Sequence, residues 1–276
     1  MPKISIITVN YNNAEGLEQT IASVISQDLQ DFEYLVVDGK STDGSLEVIE
    51  RQASFIDTWI SEADTGVYQA MNKGIRMATG EYLLFLNSGD VLYDSQVLRA
   101  VQEKIDGGKD LYYGNLIFTS QGKEMLREYP EDLRFSYFLE RSLPHPGSFI
   151  KKDLFERIFY YSEVFKIVSD WEFFICAICK EGMSYEHLNM LISRFDLEGM
   201  SNDPKNKAQI EEERRLVIQK HFPAMYEDAM ALLKQQKLLN RKDVQMQLKH
   251  SKTGRRISMK IAKLLLKLFP EKSKGI

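Results

Sequence analysis

The sequence predicts an α/β fold built on a mostly parallel central sheet. Strand-like apolar runs at Ile4–Val9, Glu33–Val37, Ile56–Ile60 and Tyr82–Leu86 alternate with helical patterns. Such alternation is typical of parallel strands joined by right-handed crossovers. With 276 residues, 43% of them hydrophobic and 28% charged, the chain has the size and composition of an ordinary soluble domain.

The helices between these strands follow from apolar spacing and from their ends. The first helix is expected from about Glu15 to Gln27, the second from Ser45 to Gln52, and the third from Tyr68 to Met77, with Gly80 as its stop. In the first helix the apolar residues share one face: Leu17, Ile21, Val24 and Ile25. That face is expected to pack on the sheet.

The second half of the chain has a different pattern. Residues 110–129 predict two strands that form a hairpin around Ser120-Gln121-Gly122. Two prolines restrain the loop Leu143–Gly147. Asp170–Glu181 has a helical pattern, and Met190–Phe195 resembles a late strand. The helical pattern contains Cys176 and Cys179, which are expected to pack in the core, since a zinc site needs about four ligands.

Two of the predicted strands end on acidic turns. The strand Tyr82–Leu86 leads into Asn87-Ser88-Gly89-Asp90, and the strand Tyr34–Val37 ends on Asp38. Open α/β sheets bind their ligands at the carboxyl ends of their strands. A single Asp at such a place is often only a turn or capping residue. The two together favour a site for a polar, phosphorylated ligand.

The N-terminal segment resembles the family-2 glycosyltransferases, which use nucleotide sugars and have the GT-A fold. The resemblance covers roughly residues 3 to 201 and rests on ordered motifs at plausible spacing. The matching segments are Ser5–Asn12, Val36–Ser45, Glu62–Gly74, Gly80-Glu81-Tyr82 with Phe85–Asp90, and Ser169–Phe174. The resemblance implies one GT-A domain and transfer of a sugar from a nucleotide donor.

The resemblance also implies residues that bind the donor. Thr8, Asn10 and Tyr11 would line the nucleotide pocket, although Tyr11 could instead simply pack against its neighbours. Asp38 would accept a hydrogen bond from the base. A carboxylate prefers a ring N–H, as in uracil, and Asp38 therefore favours a UDP-sugar.

Further donor-binding residues come from the later motifs. Asp64, Asn72 and Lys73 lie in the matching segment Glu62–Gly74, where Lys73 could meet the diphosphate or could be a solvated surface lysine. His145, in the loop with the two prolines, could contact the diphosphate or the acceptor, or be only structural.

The metal motif departs from the family pattern. Asn87 and Gly89 stand where the family usually has acidic residues, so that Asp90 is the only charged residue left in the turn. One carboxylate and two phosphates can still hold an octahedral ion that keeps several waters. We therefore expect Mn²⁺ or Mg²⁺ as the cofactor, held by Asp90 with Asn87 beside it.

Asp170 matches the catalytic base of the family. A direct attack by the acceptor hydroxyl needs one carboxylate opposite the leaving diphosphate, and it inverts the anomeric configuration. The alternative is that Ser169 or Asp170 caps the helix that begins there. Glu172 is the second candidate for the base.

Charge divides the chain into an acidic body and a basic tail. Residues 1–203, the expected GT-A domain, have 18 basic and 33 acidic residues, whereas residues 204–276 have 18 basic and 7 acidic residues. Residues 208–239 have a helical pattern, and residues 255–269 predict a basic amphipathic helix. This helix would bind an anionic membrane surface, or else pack on the body or on a partner subunit. The acidic body argues against nucleic acid as a partner.

These observations lead to one interpretation and one alternative. The chain is expected to be an inverting glycosyltransferase that adds single sugars to a lipid-linked glycan of cell-surface polysaccharide. It would work at the cytoplasmic face of the inner membrane, since no secretory signal or membrane-spanning stretch is seen. The Gln-x-x-Arg-Trp motif of processive synthases and the glycine-rich loop of NAD enzymes are both absent. The alternative is a non-catalytic module that binds nucleotide sugars.

Overall fold

The computed structural model describes residues 2–105, 108–197 and 203–239. The strands are β1 Ile4–Asn10, β2 Glu33–Asp38, β3 Thr58–Ser61, β4 Tyr82–Phe85, β5 Val91–Leu92, β6 Leu111–Ser120, β7 Lys123–Arg127, β8 Ser148–Lys151 and β9 Tyr185–Asp196. The α-helices are α1 Ala14–Ile25, α2 Ser45–Gln52, α3 Val67–Met77, α4 Val97–Lys104, α5 Phe135–Glu140, α6 Leu154–Arg157, α7 Ser169–Cys179, α8 Lys207–His221 and α9 Tyr226–Leu239. None of the described helices is long and apolar enough to cross a membrane.

The nine strands form a single sheet, and the predicted α/β class is confirmed. The strand order is β3-β2-β1-β4-β8-β6-β9-β5, with β7 paired to β6. The first four strands in this order are parallel. Strand β8 is antiparallel to both β4 and β6, and β9 returns parallel to β6.

The parallel half of the sheet is buried on both faces. Every residue of β1 and β4 is buried, as expected for parallel strands covered by helices. Helix α3 lies very close to β1, because a Cβ placed on Gly74 would come within 2.5 Å of the Ile7 side chain. Glycine at this position therefore allows the helix to approach the strand that carries Asn10.

The predicted hairpin is confirmed, and other elements differ from the prediction. Gln121 and Gly122 both have positive φ, as a two-residue hairpin turn requires. Strand β9 begins at Tyr185, earlier than the pattern indicated, and β8 was not predicted. The helical stretch 208–239 is broken by a short 3₁₀ turn at Pro223–Met225, because proline disrupts a continuing helix.

A cluster of aromatic rings fixes helix α7. The rings of Phe155 and Phe173 stack with their centroids 4.5 Å apart, and Tyr161 packs against both. The indole Nε1 of Trp171 donates to the carbonyl of Phe138 at 2.7 Å. Packing of large rings supplies both buried area and a preferred orientation. The first turn of α7, which carries Asp170, therefore has a defined position against the sheet.

The chain divides into two compact units at Phe222. The first unit contains the sheet and helix α8, so α8 belongs with the predicted catalytic body although it lies beyond the expected boundary at residue 203. Within the second unit, the described part consists of the turn Pro223–Met225 and helix α9. The predicted basic amphipathic helix at 255–269 lies outside the described residues.

Candidate active site

The carboxyl ends of β1, β2 and β4 place three of the predicted polar segments side by side. Asn10 at the end of β1 is the register partner of Asp38 at the end of β2, and its Nδ2 donates to Asp38 Oδ1 at 2.8 Å. The turn Asn87–Asp90 follows β4. Thr20 of α1 holds this turn, since its hydroxyl donates to the carbonyl of Asp90 at 2.8 Å and accepts from the amide of Gly89 at 3.0 Å.

The Asp38 side chain forms hydrogen bonds with neighbouring segments and is not exposed to solvent. Its carboxylate is completely buried and accepts from Asn10, from the amide and hydroxyl of Ser41, and from the hydroxyl of Ser61. Burial raises the pKa of Asp38, but the bonds from these three residues outweigh it and hold the pKa below its ordinary value. Two bonds to each oxygen leave no free lone pair for a base. The contacts therefore support a positioning role for Asp38.

A cleft of about 790 Å³ opens above Asp38, and we call it the edge cleft. Asn10, Tyr11, Lys40, Asp64 and Val67 are among the residues that line it. Tyr11 is 68% exposed, which excludes simple core packing. Gly39 separates Asp64 from Tyr11: a Cβ at Gly39 would lie 2.8 Å from Asp64 Oδ2 and 3.1 Å from Tyr11 Cδ2. An exposed aromatic ring thus lies beside a carboxylate.

The edge cleft continues into a central cavity of about 400 Å³. The two spaces share Asn13, Val67, Asn87 and Ser88 in their walls. The central cavity collects four of the predicted residues, Asn87, Asp90, His145 and Asp170, and three others, Tyr68, Lys166 and Asp196. It therefore brings two of the predicted acidic groups and the predicted histidine together.

Asp90 is a buried carboxylate with an unused oxygen. Its Oδ2 and the Oδ1 of Asn87 have no hydrogen-bond partner within the described chain. Burial raises the pKa of Asp90 to about 7, against the opposing attraction of His145, whose Nε2 lies 3.9 Å from Oδ2. Two unpaired hard oxygens fit a divalent cation that takes its other ligands from phosphate and water. Among the described residues, no three His, Cys, Asp or Glu side chains form a metal site.

Asp170 lies in the first turn of α7 and is held ionised. The hydroxyl of Tyr68 lies 2.9 Å from Oδ1, and His145 Nδ1 lies 3.6 Å from Oδ2. Burial raises the pKa of Asp170, but His145 and then Tyr68 more than offset it, so that the pKa is lower than usual. The N-cap of α7 is Val168, and Ser169 donates to the Ser162 carbonyl. The N-cap position therefore belongs to Val168, and neither Ser169 nor Asp170 occupies it.

A third cavity of about 430 Å³ lies on the other side of Asp170 and His145. It shares Ile167 and Phe195 with the central cavity. We call it the arginine pocket, because Arg127, Arg141 and Arg214 line it. A continuous path therefore runs from the edge cleft, past Asp90 and Asp170, to the arginine pocket.

Two predicted donor-binding residues lie in the protein interior instead. Thr8 is fully buried, and its hydroxyl is 3.1 Å from the hydroxyl of Tyr34. Asn72 is 1% exposed, and its Nδ2 donates to the carbonyl of Tyr161 and to Glu163. Neither lines any of the three cavities. Both side chains stabilise the scaffold, and the predicted contact with the donor is corrected accordingly.

Lys73 and Glu172 are also engaged elsewhere. The Lys73 ammonium pairs with Glu62 at 2.9 Å, so it is not directed at the central cavity. Glu172 is 1% exposed and binds His221 and Lys220 of α8, at 2.7 and 3.1 Å. Since Asp170 and Glu172 are two residues apart on a helix, they point in different directions. Glu172 therefore does not serve as the second candidate for the base.

Several residues of the site were not singled out from the sequence. Tyr68 lies in the matching segment Glu62–Gly74, but nothing in the sequence indicated that its hydroxyl would contact Asp170. Asp196 was missed because it ends the late strand one residue beyond the predicted limit. Arg127 and Arg214 come from β7 and α8, and only the tertiary fold brings them to Asp170.

Comparisons with known proteins identify the family of the chain. Residues 5–167 match the model of Glycosyl transferase family 2. The chain belongs to this family. A "PGL/p-HBAD biosynthesis glycosyltransferase" from Mycobacterium bovis is 30% identical over 207 residues, which are 73% of this chain and 80% of that protein. An uncharacterized glycosyltransferase from Nostoc is 40% identical over 103 residues, 36% of this chain and 32% of that protein.

Solved glycosyltransferases share the fold, and the GT-A prediction is confirmed. Staphylococcus aureus TarS 1-349 in complex with UDP-GlcNAc has a TM-score of 0.62 and 19% identity, over 80% of this chain and 67% of that one. This chain spans 44% of the longer TarS structure. The mannosyltransferase PcManGT from Pyrobaculum calidifontis, in complex with GDP-Man and Mn²⁺, has a TM-score of 0.54 and 17% identity, over 98% and 88%.

Proposed function

We propose that this glycosyltransferase moves a single sugar from a UDP-sugar to a lipid-linked oligosaccharide, with inversion at the anomeric carbon. The product would serve cell-surface polysaccharide synthesis, as O-antigen, capsule or exopolysaccharide, at the cytoplasmic face of the inner membrane. The relative named for PGL/p-HBAD biosynthesis supports a glycolipid pathway. The basic tail, residues 204–276, supports binding to an anionic membrane.

One observation carries the proposal. The ionised carboxylate of Asp170 stands where the central cavity meets the arginine pocket, with His145 between it and Asp90. A donor in the edge cleft would direct its diphosphate at Asp90, and an acceptor would arrive from the arginine pocket. Asp170 is then the group that meets the acceptor hydroxyl.

The edge cleft supports recognition of a uracil base. Tyr11 presents a largely exposed ring for stacking, and Asn10 and Lys40 lie beside it. Asp64, which keeps Oδ2 on the cleft side of Gly39, is a better placed acceptor for a ring N–H than the saturated Asp38. The UDP complexes of TarS are in line with such a donor.

Asp90 would hold the divalent cation, with Asn87 as a neutral oxygen ligand. When bound there, Mn²⁺ or Mg²⁺ supplies charge neutralisation for the departing diphosphate. Lys166 adds positive charge along the same cavity. Burial lowers the pKa of His145, but Asp170 and Asp90 outweigh it and raise the pKa above its ordinary value. His145 also keeps Asp170 ionised, since its attraction lowers the pKa of that carboxyl.

The chemical step then requires one base. Asp170 takes the proton from the acceptor hydroxyl while the hydroxyl oxygen attacks the anomeric carbon, and the bond from that carbon to the diphosphate oxygen breaks. The acceptor and the diphosphate lie on opposite faces of the sugar, so the configuration inverts. General base catalysis of this kind contributes about 10²–10⁴-fold to a rate.

A panel of nucleotide sugars tests the proposal. The protein should melt at a higher temperature with one UDP-sugar and Mn²⁺, and it should release UDP from that donor, even by slow hydrolysis. Binding without any release of UDP would favour the alternative, a non-catalytic nucleotide-sugar module, which the single carboxylate of the metal turn keeps open. NMR of the transferred sugar tests inversion.

A further inference from the structure

We propose that the arginine pocket binds an anionic group, a phosphate or a carboxylate, carried by the acceptor close to the hydroxyl that receives the sugar. This inference deepens the proposed function and rests on it. It concerns the chemical class of the acceptor, which neither the family nor the relatives define for this chain.

The position of the pocket assigns it to the acceptor. It adjoins the reaction centre through His145 and Asp170, on the side opposite the edge cleft. A molecule in this pocket can present a hydroxyl to Asp170 without crossing the donor. At about 430 Å³ the pocket can hold a sugar ring with a charged substituent.

The arginines of the pocket outnumber its carboxylates, since Arg127, Arg141 and Arg214 line it together with Glu140 and Asp170. None of the three forms a salt bridge with a described residue, whereas six arginines elsewhere each pair with a carboxylate. The paired residues are Arg51, Arg99, Arg134, Arg157, Arg194 and Arg215. Three guanidinium groups that form no salt bridge among the described residues therefore share one cavity with two carboxylates, and an anion would balance the excess positive charge.

Unpaired hydrogen-bond donors in the pocket also favour an anionic ligand. The Nε atoms of Arg127 and Arg214 are buried and without a hydrogen-bond partner in the parts of the chain described above. Nη1 of Arg214 donates to the carbonyl of Glu140 at 3.2 Å, a neutral acceptor. Guanidinium groups bind carboxylate and phosphate through paired N–H donors. An anion in the pocket would satisfy donors that the fold leaves unused.

Aromatic rings hold two of the arginines in place. The guanidinium of Arg214 lies 4.9 Å from the ring of Trp171, and that of Arg127 lies 5.5 Å from the ring of Tyr129. Stacking keeps the planar groups oriented before a ligand arrives, which lowers the entropic cost of binding. Phe118 and Phe195 complete an apolar wall that a sugar ring can cover.

The test uses the full chain saturated with UDP and Mn²⁺, so that the donor site is closed to the probes. Glucose 1-phosphate, methyl glucuronide, methyl glucoside and inorganic phosphate are titrated by NMR or calorimetry. At least one of the two charged sugars should bind at least tenfold more tightly than the neutral glucoside. It should also bind more tightly than inorganic phosphate, since the pocket also contacts the ring. Which charged sugar binds better identifies the anion as phosphate or carboxylate.

Variants locate the binding. Arg214→Gln and Arg127→Gln should each weaken binding of the charged sugar by about tenfold or more, the scale of one charged hydrogen bond. Arg51→Gln, which removes the same charge from an exposed pair with Glu18, should have no effect. Arg141→Gln tests the same loss of binding without risk to folding, because Arg141 is exposed and does not belong to the core.

Three results would overturn the inference. They are equal binding of charged and neutral sugars, binding that is insensitive to all three pocket variants, and weaker UDP binding by these variants in place of weaker acceptor binding. Failure of the proposed function is distinct, since the wild-type protein would then release no UDP from any UDP-sugar, whether or not it binds one. A protein that releases UDP but ignores the charged sugars refutes only the inference.

Discussion

Replacing Asp90 by Asn should stabilise the protein when no cation is bound. Burial raises the pKa of this carboxyl from 3.8 to about 7. Below pH 3.8 the carboxyl is protonated in both the folded and the unfolded chain. As the pH rises, the unfolded chain loses the proton first, so the stability that this group contributes is lost progressively until the pH passes 7. Above pH 7 the buried charge remains as a full penalty.

The size of the effect follows from the shift. Each pKa unit corresponds to about 1.4 kcal/mol, so a shift of about three units costs roughly 4 kcal/mol at pH 8. At about 2–4 °C per kcal/mol, Asp90→Asn is expected to raise the melting temperature by on the order of 10 °C. At pH 5 the pH is only about 1.2 units above the unfolded pKa of 3.8, so the stability gained by the variant should be about 2 kcal/mol.

Differential scanning calorimetry at pH 5 and pH 8, with and without Mn²⁺ and UDP, measures this effect. Mn²⁺ with UDP should raise the melting temperature of the wild type much more than that of Asp90→Asn. The difference between the two melting temperatures should therefore become smaller or change sign. Asp31→Asn is the control, because this carboxylate is exposed and lies outside the cavity. A variant that is no more stable than wild type at pH 8 would refute the reasoning.

The remaining predictions concern other parts of the path. Tyr68→Phe removes a hydrogen bond that lowers the pKa of Asp170, so the acidic limb of the pH–rate profile should move to higher pH; an unmoved limb contradicts this role. Asp64→Asn should weaken binding of UDP more than binding of a purine nucleotide, measured by calorimetry, while Asp38→Asn should mainly lower the melting temperature. The reverse pattern would return base recognition to Asp38. Deleting residues 254–276 should release the protein from anionic vesicles in a sedimentation assay and spare donor hydrolysis. Unchanged vesicle binding would remove the support for a membrane-bound acceptor.

The sequence predicted the parallel half of the fold well, for a clear physical reason. Strands buried on both faces appear as continuous apolar runs, and the polar residues that follow them must lie at one edge of the sheet. Asp38, Asn87 and Asp90 were found in this way, whereas Asn10 came from the resemblance to family 2. The resemblance to family 2 then supplied Asp170, whose place in the first turn of α7 agrees with the prediction.

The errors have equally physical causes. The resemblance assigned Thr8 to the nucleotide pocket, but every residue of β1 is buried, and Thr8 packs against Tyr34 instead. A long charged side chain can turn to a nearby partner, as Lys73 does with Glu62. Strand β8 is short and follows two prolines, so its four residues carry too little pattern to be recognised.

The arginine pocket was beyond sequence reasoning for another reason. Arg127, Arg141 and Arg214 are far apart along the chain, and none stands in a motif. They meet only because β7 pairs with β6 and α8 packs within the same unit. Tertiary contacts of this kind leave no local signal.

Replacement of Asp170 by Asn tests the central claim most directly. The variant should fold and bind a UDP-sugar with Mn²⁺ as wild type does, because the amide fills the same volume. The rate of sugar transfer to an acceptor, measured as release of UDP, should fall by about 10²-fold or more, the scale of a lost general base. Near-wild-type transfer by Asp170→Asn would contradict the assignment of the base and, with it, the proposed path of the acceptor.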